Sequence, residues 1–414
     1  MLRRRHYSQA QAARTPEGRE EAHEAGWHGR GPAGSFPRRP QPGRGAEILT
    51  RVRHLYVHLP FCAQRCGYCD FVTVVGRGAQ HGPYVDALLH ELELERELLA
   101  PQLETVFLGG GTPTFTEPRA LARLLGALPD AAEVTVEANP ETVTQALAAL
   151  LRRFGVNRVS LGVQSFQPHL LDVLDRVAKP DTVRRAFYDL RDAGFDNISL
   201  DLIYGIPGQS PADLETDLGA AIELGPEHLS CYELEAKPGT RFSHAHGGEL
   251  QRQAETMESY FELVVDRLTA AGYRWYETAN FCREGDLDLR SRHNLAYWLG
   301  RDYLGLGVGA VSTVDGRRWR NTPRLAAYME ALEARSRPQR EVEPLSDEVR
   351  RRERVMLGLR LDEPLVLGEL AQVVDQDAMK RLAHLGLVRT DMRTLALTAR
   401  GRFLGGGVTA DLLV

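Results

Sequence analysis

Residues 56–71 read Tyr-Val-His-Leu-Pro-Phe-Cys-Ala-Gln-Arg-Cys-Gly-Tyr-Cys-Asp-Phe. An apolar strand, with Leu55, Tyr56, Val57 and Leu59, runs into a loop that carries Cys62, Cys66 and Cys69 at CxxxCxxC spacing. Three of the five cysteines of the chain thus fall within eight residues. Three thiolates on one tight loop can each hold one iron of a cubane cluster, whose protein ligands are usually four cysteines. With three, one iron stays open to a ligand that is not protein. A structural disulfide fits poorly, because an odd set of close cysteines without a signal peptide suits a reducing compartment. Zinc asks for a fourth ligand, which His58, Cys231 or Cys282 would have to supply, and its sites favour CxxC pairs.

Outward from the loop, the chain repeats strand, loop, helix. Strands are expected at 54–59, 104–108, 132–137, 157–163, 196–202 and 227–234. Helices are expected at 83–100, where Val85, Leu88, Leu89 and Leu92 share one face, and at 118–128, 141–153, 180–193 and 211–224. The last is opened by Ser210-Pro211, an N-cap followed by proline at the first helical position. Six such units predict an α/β fold, a partial parallel (β/α)6 barrel. In these sheets chemistry gathers at the C-terminal strand ends, which is where the cysteine loop stands. The other strand ends carry Gly109-Gly110-Gly111-Thr112, Glu137-Ala138-Asn139-Pro140, Gly162-Val163-Gln164-Ser165 and Asp201. Glycines let backbone approach a ligand closely, and Glu, Gln and Asp on one rim offer partners for an amino acid and a ribose.

Length and composition set the outer bounds. A chain of 414 residues, 43% hydrophobic and 26% charged, accommodates one large and one small domain with an ordinary core. A net charge of -5 predicts no nucleic-acid partner. No apolar run approaches the roughly 20 residues that span a bilayer, so a soluble, cytoplasmic protein is expected. Residues 1–50 differ from the rest, with nine Arg, seven Gly and five Pro, and read as a disordered extension. Glu17, Glu20, Glu21 and Glu24 argue against a mitochondrial transit peptide. Domain boundaries are expected at 51–337 for the barrel with its extension and at 345–414 for a small C-terminal unit, with a proline-marked linker at 338–344. The unit has helical stretches at 346–359, 366–373 and 376–385, then a ribbon at Leu387-Val388 and Leu395 to Thr398. This pattern predicts a winged-helix-like α+β domain that docks on the barrel. The arginines Arg350, Arg351, Arg352 and Arg354 read as a solvated helix face rather than a DNA-reading one.

The CxxxCxxC loop, with aromatic Tyr68 before its last cysteine, resembles the signature of the radical S-adenosylmethionine (radical SAM) superfamily. There AdoMet chelates the open iron, and the reduced cluster passes one electron to the sulfonium. In chain order, YVHLPFCAQRCGYCDF, LGGGTPT, EANPE, GVQSF, DLIYGIPGQ, YETANF and RHNLAYW resemble the oxygen-independent coproporphyrinogen III oxidase family, over residues 53 to 410. The resemblance implies a [4Fe-4S] cluster on Cys62, Cys66 and Cys69. It also implies AdoMet contacts at Tyr56, Tyr68, Gly110, Gly111, Thr112, Glu137, Gln164, Arg176 and Asp201.

Two features resemble the heme-chaperone (HemW) branch of that family more than its decarboxylating enzyme. The enzyme has a further cysteine two places after the third ligand, and here that place is Phe71. The branch also has His293-Asn294-Leu295-Ala296-Tyr297-Trp298, where His293 is a candidate heme ligand and the alternative is a satisfied core histidine. One departure is Arg176-Val177-Ala178, where the family often has Arg-x-His. The implied cofactors are the cluster, AdoMet and heme, and the implied partners are apo-hemoproteins as recipients. A heme donor protein and a homodimer are left open. The alternative function is oxidative decarboxylation of coproporphyrinogen III, and a DNA-binding redox regulator is the third reading. Cys231 and Cys282 are expected to be small buried hydrophobes.

Overall fold

The computed structural model describes residues 51–235, 241–253, 256–391 and 393–414. The expected disordered extension, residues 1–50, lies outside the described residues. Six strands form the parallel body of one sheet: β1 (His54–Leu59), β2 (Leu103–Gly110), β3 (Ala131–Ala138), β4 (Arg158–Gln164), β5 (Ile198–Tyr204) and β6 (His228–Glu233). They pair in chain order. Beyond β1 the edge is Leu304–Leu306, parallel to it, and beyond β6 come Asn280–Arg283 and Tyr273–Trp275, both joined by antiparallel pairing. The nine strands make the partial barrel expected from the repeat.

Helices cover the outside, including His81–Glu95, Pro118–Ala127, Gln145–Arg153, Pro180–Asp192 and Pro211–Leu224. In the first, Val85, Leu88 and Leu92 are buried, the stripe its periodicity called for. The last opens on the foreseen cap: Ser210 accepts from the Asp213 amide, Asp213 accepts from the Ser210 amide, and Pro211 follows.

Successive strand residues point to opposite faces, and here the two faces differ in chemistry. Leu55, Val57, Leu59, Val106, Leu108, Val159, Leu161, Val163, Ile198, Leu200 and Leu229 join the core beneath the helices. The alternate positions are polar: His54, Thr105, Glu133, Thr135, Arg158, Ser160, Ser199, His228 and Ser230 are all buried. A parallel sheet covered on both faces usually reads as continuous apolar strands. This one curves around a polar lumen.

The C-terminal residues have a core of their own, from Val355 and Leu359 to Val408 and Leu412, around the helices Asp347–Gly358 and Gln376–His384. Leu365–Val366, Thr394–Leu397 and Val388–Thr390 make its three-stranded wing. Segment 366–373, expected as helical, holds a 3-10 helix from Gly368 to Val373. The expected linker is corrected. Arg340–Pro344 is an edge strand paired to Arg317–Asn321, with its proline at the end, where a missing N–H costs the ladder least. Arginines tie this unit to the barrel. Arg274 forks onto Asp362 at 2.7 and 3.1 Å, Arg318 forks onto Glu353 at 2.8 and 2.7 Å, and Arg402 lies 3.5 Å over the Trp275 ring. Of the four arginines on the opening helix, Arg350 and Arg352 pair with Asp347 and Glu348, while Arg354 donates to the Trp298 carbonyl. No helix among the described residues is long and apolar enough to cross a membrane.

Candidate metal-cluster and cofactor site

The cysteine loop is clamped at its base. Phe61–Cys62 pairs in parallel with Val74–Val75, so the loop leaves and returns side by side. Beneath it, the Gly111 amide donates to the Leu59 carbonyl at 2.7 Å and the Thr112 amide to the Phe61 carbonyl at 2.9 Å. Two glycines permit this contact. A Cβ on Gly111 would lie 2.6 Å from the Pro60 carbonyl carbon, and Gly110 has φ +108° with the His58 ring 2.3 Å from where its Cβ would be. Backbone cannot step aside as a side chain can, so the glycine run is the seat of the loop.

All three cysteines are free thiols. Cys62 is buried and accepts from the Thr112 hydroxyl at 3.6 Å, and burial pushes its thiol up to about 11. Burial raises Cys69 as well. Arg176 donates to Cys66 Sγ at 3.6 Å through one nitrogen, and through another to Asn139 Oδ1 at 2.9 Å and the Gly162 carbonyl at 2.6 Å. Asn139 in turn donates to Thr112 Oγ1 at 3.0 Å. One network thus joins the ends of β2, β3 and β4 to two of the three thiols. Asn139 was legible only as part of the EANPE motif, not as a residue with its own task. Among the described residues no three His, Cys, Asp or Glu side chains converge on a single metal ion. A cubane asks for one thiolate at each of three separate irons.

Below the loop stand two carboxyls without a cation in contact. Burial, then the neighbouring Asp201, push Glu137 up to about 7, against a 3.1 Å hydrogen bond from the Gly110 amide. Burial also raises Asp201, although Ser160 donates to both of its oxygens at 3.1 and 3.0 Å. Both residues keep some solvent access from the lumen. Gln164 closes the rim with φ +70°, where the β4–β5 register shifts, a strained conformation of the kind that clusters at ligand sites. Tyr56 bonds His58 Nδ1 at 3.0 Å, and His58 Nε2 meets the Val72 carbonyl at 2.8 Å. A carbonyl only accepts, so Nε2 carries the proton and Nδ1 accepts from the tyrosine. Burial lowers His58 to about 4, so this tautomer is neutral. Tyr68 packs edge-on to Phe242, 6.5 Å between ring centroids.

The residue set fits the implied cofactor. Free thiols lie beside a fixed cation, Arg176 Nε has no partner, and the carboxyls of Glu137 and Asp201 face the lumen, where they can accept from an amino group and a ribose. Tyr56, Tyr68, Gly110, Gly111, Thr112, Glu137, Gln164, Arg176 and Asp201 line the rim or the lumen directly below it.

His293 stands elsewhere. Its ring is 1% exposed, stacks on Phe107 at 5.1 Å, and has both nitrogens engaged: Nδ1 with Thr105 Oγ1 at 2.7 Å, Nε2 with Tyr297 Oη at 2.9 Å. Burial lowers it to about 3. No nitrogen is left for iron in this conformation, and the satisfied core histidine describes what is seen. Trp298 is buried with the Arg360 guanidinium 4.3 Å above it, while Phe71 is 52% exposed beside the cluster loop. Cys231 and Cys282 are buried, as expected.

The Radical SAM superfamily model matches residues 56–220. The heme chaperone HemW of Mycobacterium tuberculosis is 39% identical over 371 residues, 87% of this chain and 94% of that protein. HemW of Bacillus subtilis is 33% identical over 379 residues, 87% of this chain and 99% of that protein. Among solved structures, coproporphyrinogen III oxidase (HemN) from Escherichia coli superposes with a TM-score of 0.74 at 25% identity, covering 87% of this chain and 90% of that one. The chain belongs to the family of the heme chaperone HemW, within the radical SAM superfamily.

Proposed function

We propose that this protein is a heme chaperone: it binds a [4Fe-4S] cluster, AdoMet and heme, and passes heme to apo-hemoproteins. Cys62, Cys66 and Cys69 would hold the cluster, with Arg176 as the fixed cation beside the Cys66 sulfur. Glu137 and Asp201 would accept hydrogen bonds from the AdoMet amino group and ribose, with Gly110, Gly111 and Thr112 as the backbone seat and Tyr56, Tyr68 and Gln164 as flanking contacts. Bound together, cluster and AdoMet supply one-electron chemistry at the sulfonium. The residues of the chain would hold and orient the cofactor; no proton-transfer group beside the sulfonium is needed for that.

The observation that carries the chaperone reading is Phe71, which stands where the decarboxylating enzyme has a cysteine, beside the three-cysteine loop. HemW relatives over nearly their full length support it. We further propose that residues 345–414 form a docking domain for the barrel and that apo-hemoproteins are the recipients of the heme. The HemN likeness favours one rival, decarboxylation of coproporphyrinogen III.

The test is anaerobic reconstitution with iron and sulfide, then heme titration followed by absorption, and an assay for protoporphyrinogen. A stoichiometric Soret shift, with transfer to an apo-hemoprotein and no product from coproporphyrinogen, is expected. Sustained protoporphyrinogen production would sink the proposal.

A further inference from the structure

The lumen holds a charged group that the cluster and AdoMet seat does not use. Arg158 opens β4 on its inner face and is 2% exposed, the largest fully buried side chain of the described residues. Its Nε has no hydrogen-bond partner, and among the described residues it forms no ion pair. Its charge is felt by Glu137, Asp201, His228, Tyr276 and His293. These residues come from three strands and two later segments, so the guanidinium faces the lumen rather than the helices. In register it lies opposite Thr135, two residues deeper than the Glu137–Ser160 pair.

Elsewhere in the fold Arg274, Arg318 and Arg340 meet carboxylates, Arg176 meets Asn139 and Gly162, and Arg360 and Arg402 stack on Trp298 and Trp275. A buried cation without a paired anion carries a large desolvation cost, and structural arginines are normally paired. The flat fork of five donors is matched to a carboxylate. His228 and Tyr276 offer no anion in exchange, because they bond each other at 2.8 Å and His228 is satisfied on its other side by Ser199.

We propose that Arg158 is the lumen's carboxylate receptor and takes a propionate arm of the bound tetrapyrrole. The assignment rests on the heme reading above. AdoMet also carries a carboxylate, but the likeness places that group on the open iron at the rim, whereas Arg158 opens its strand at the far end.

Full-length reconstituted protein is titrated with heme and with heme dimethyl ester, each followed at the Soret band, and AdoMet affinity is measured alongside. Wild type is expected to bind the free acid about tenfold or more tightly than the ester, the scale of one charge-assisted pair. Arg158→Gln is expected to lose that preference and fall to the ester's affinity, with AdoMet binding within about twofold of wild type. Arg158→Lys is expected to recover part of the preference. An unchanged preference in Arg158→Gln, or a loss confined to AdoMet binding, overturns the assignment while leaving heme binding standing. Failure of wild type to bind heme removes the heme reading and this assignment with it. Thermal unfolding of ligand-free Arg158→Met gives an independent check. A Tm equal to or above wild type fits a receptor awaiting its anion, and a Tm several degrees lower makes Arg158 a structural counter-charge and overturns the proposal.

Discussion

Replacing His293 by alanine separates a heme ligand from a structural histidine, because the two roles predict different losses. The ring is buried and makes two hydrogen bonds, to Thr105 at 2.7 Å and Tyr297 at 2.9 Å. Removal leaves Thr105 with its second partner, His54 Nδ1 at 3.0 Å, but strips Tyr297 of a hydrogen bond and opens a void beside Phe107. A lost buried hydrogen bond with an orphaned partner costs about 1–3 kcal/mol, and a ring-sized cavity adds about 2 kcal/mol more. The total is about 3–5 kcal/mol, or about 6–10 °C in Tm for a domain of this size. The pH dependence should change as well. His293 in the folded state sits near 3 against 6.5 unfolded, so the unfolded chain binds the extra proton and stability falls as pH drops below 6.5. His293→Ala should lose its share of that acid sensitivity. Thermal unfolding from pH 5 to 8, alongside heme titration, reads both effects. The expected result is a markedly lower Tm, a flatter acid limb and a heme-bound spectrum with the wild-type band positions. A variant with wild-type Tm and no Soret shift would refute the structural argument and make His293 a ligand.

Other parts of the site make equally direct predictions. Glu137 titrates near 7 in the fold against 4.5 unfolded, so the ligand-free native state holds the extra proton and loses stability as pH rises from 4.5 through 7. Glu137→Gln should therefore be more stable than wild type at pH 8 and similar at pH 5, yet bind AdoMet about tenfold or more weakly, which calorimetry can measure. Gly111→Ala drives a Cβ into the Pro60 backbone and should unseat the cysteine loop; iron and sulfide content after reconstitution should fall well below wild type. Full iron loading would contradict it. Asp362→Ala removes the fork from Arg274, and the partly exposed pair should contribute only about 1 kcal/mol, checked by urea unfolding. A cost of about 4 kcal/mol or more would mean the two cores unfold as one unit through this contact.

The sequence carried the cysteine loop, the six strand–helix units, the Ser210 cap and the rim residues, because each is written in local spacing. Other features depend on contacts that no local window contains. Leu304-Gly305-Leu306 is too short to read as a strand, and it becomes one only by pairing with β1 from far along the chain. Residues 340–344 look like a charged, proline-marked linker, and only the neighbouring strand makes them an edge. His293 looked available for iron because its partner Thr105 lies 188 residues away.

Arg158 shows the limit most clearly. In Arg-Val-Ser-Leu-Gly-Val-Gln, residues 158–164, apolar and polar positions alternate, and such alternation ordinarily marks a strand with one face in water. The apolar half was legible as core. The polar half has two meanings, solvent face or ligand face, and the strand itself is the same in both. What decides is whether enough parallel strands curve together to turn that face inward. Once they do, each charge on it loses water, and a residue that would be unremarkable on a surface must be answered by a partner or by a ligand. Among the described residues Glu137, Asp201 and Arg158 make no ion pair, which is why the lumen, rather than any surface groove, is where ligands are expected.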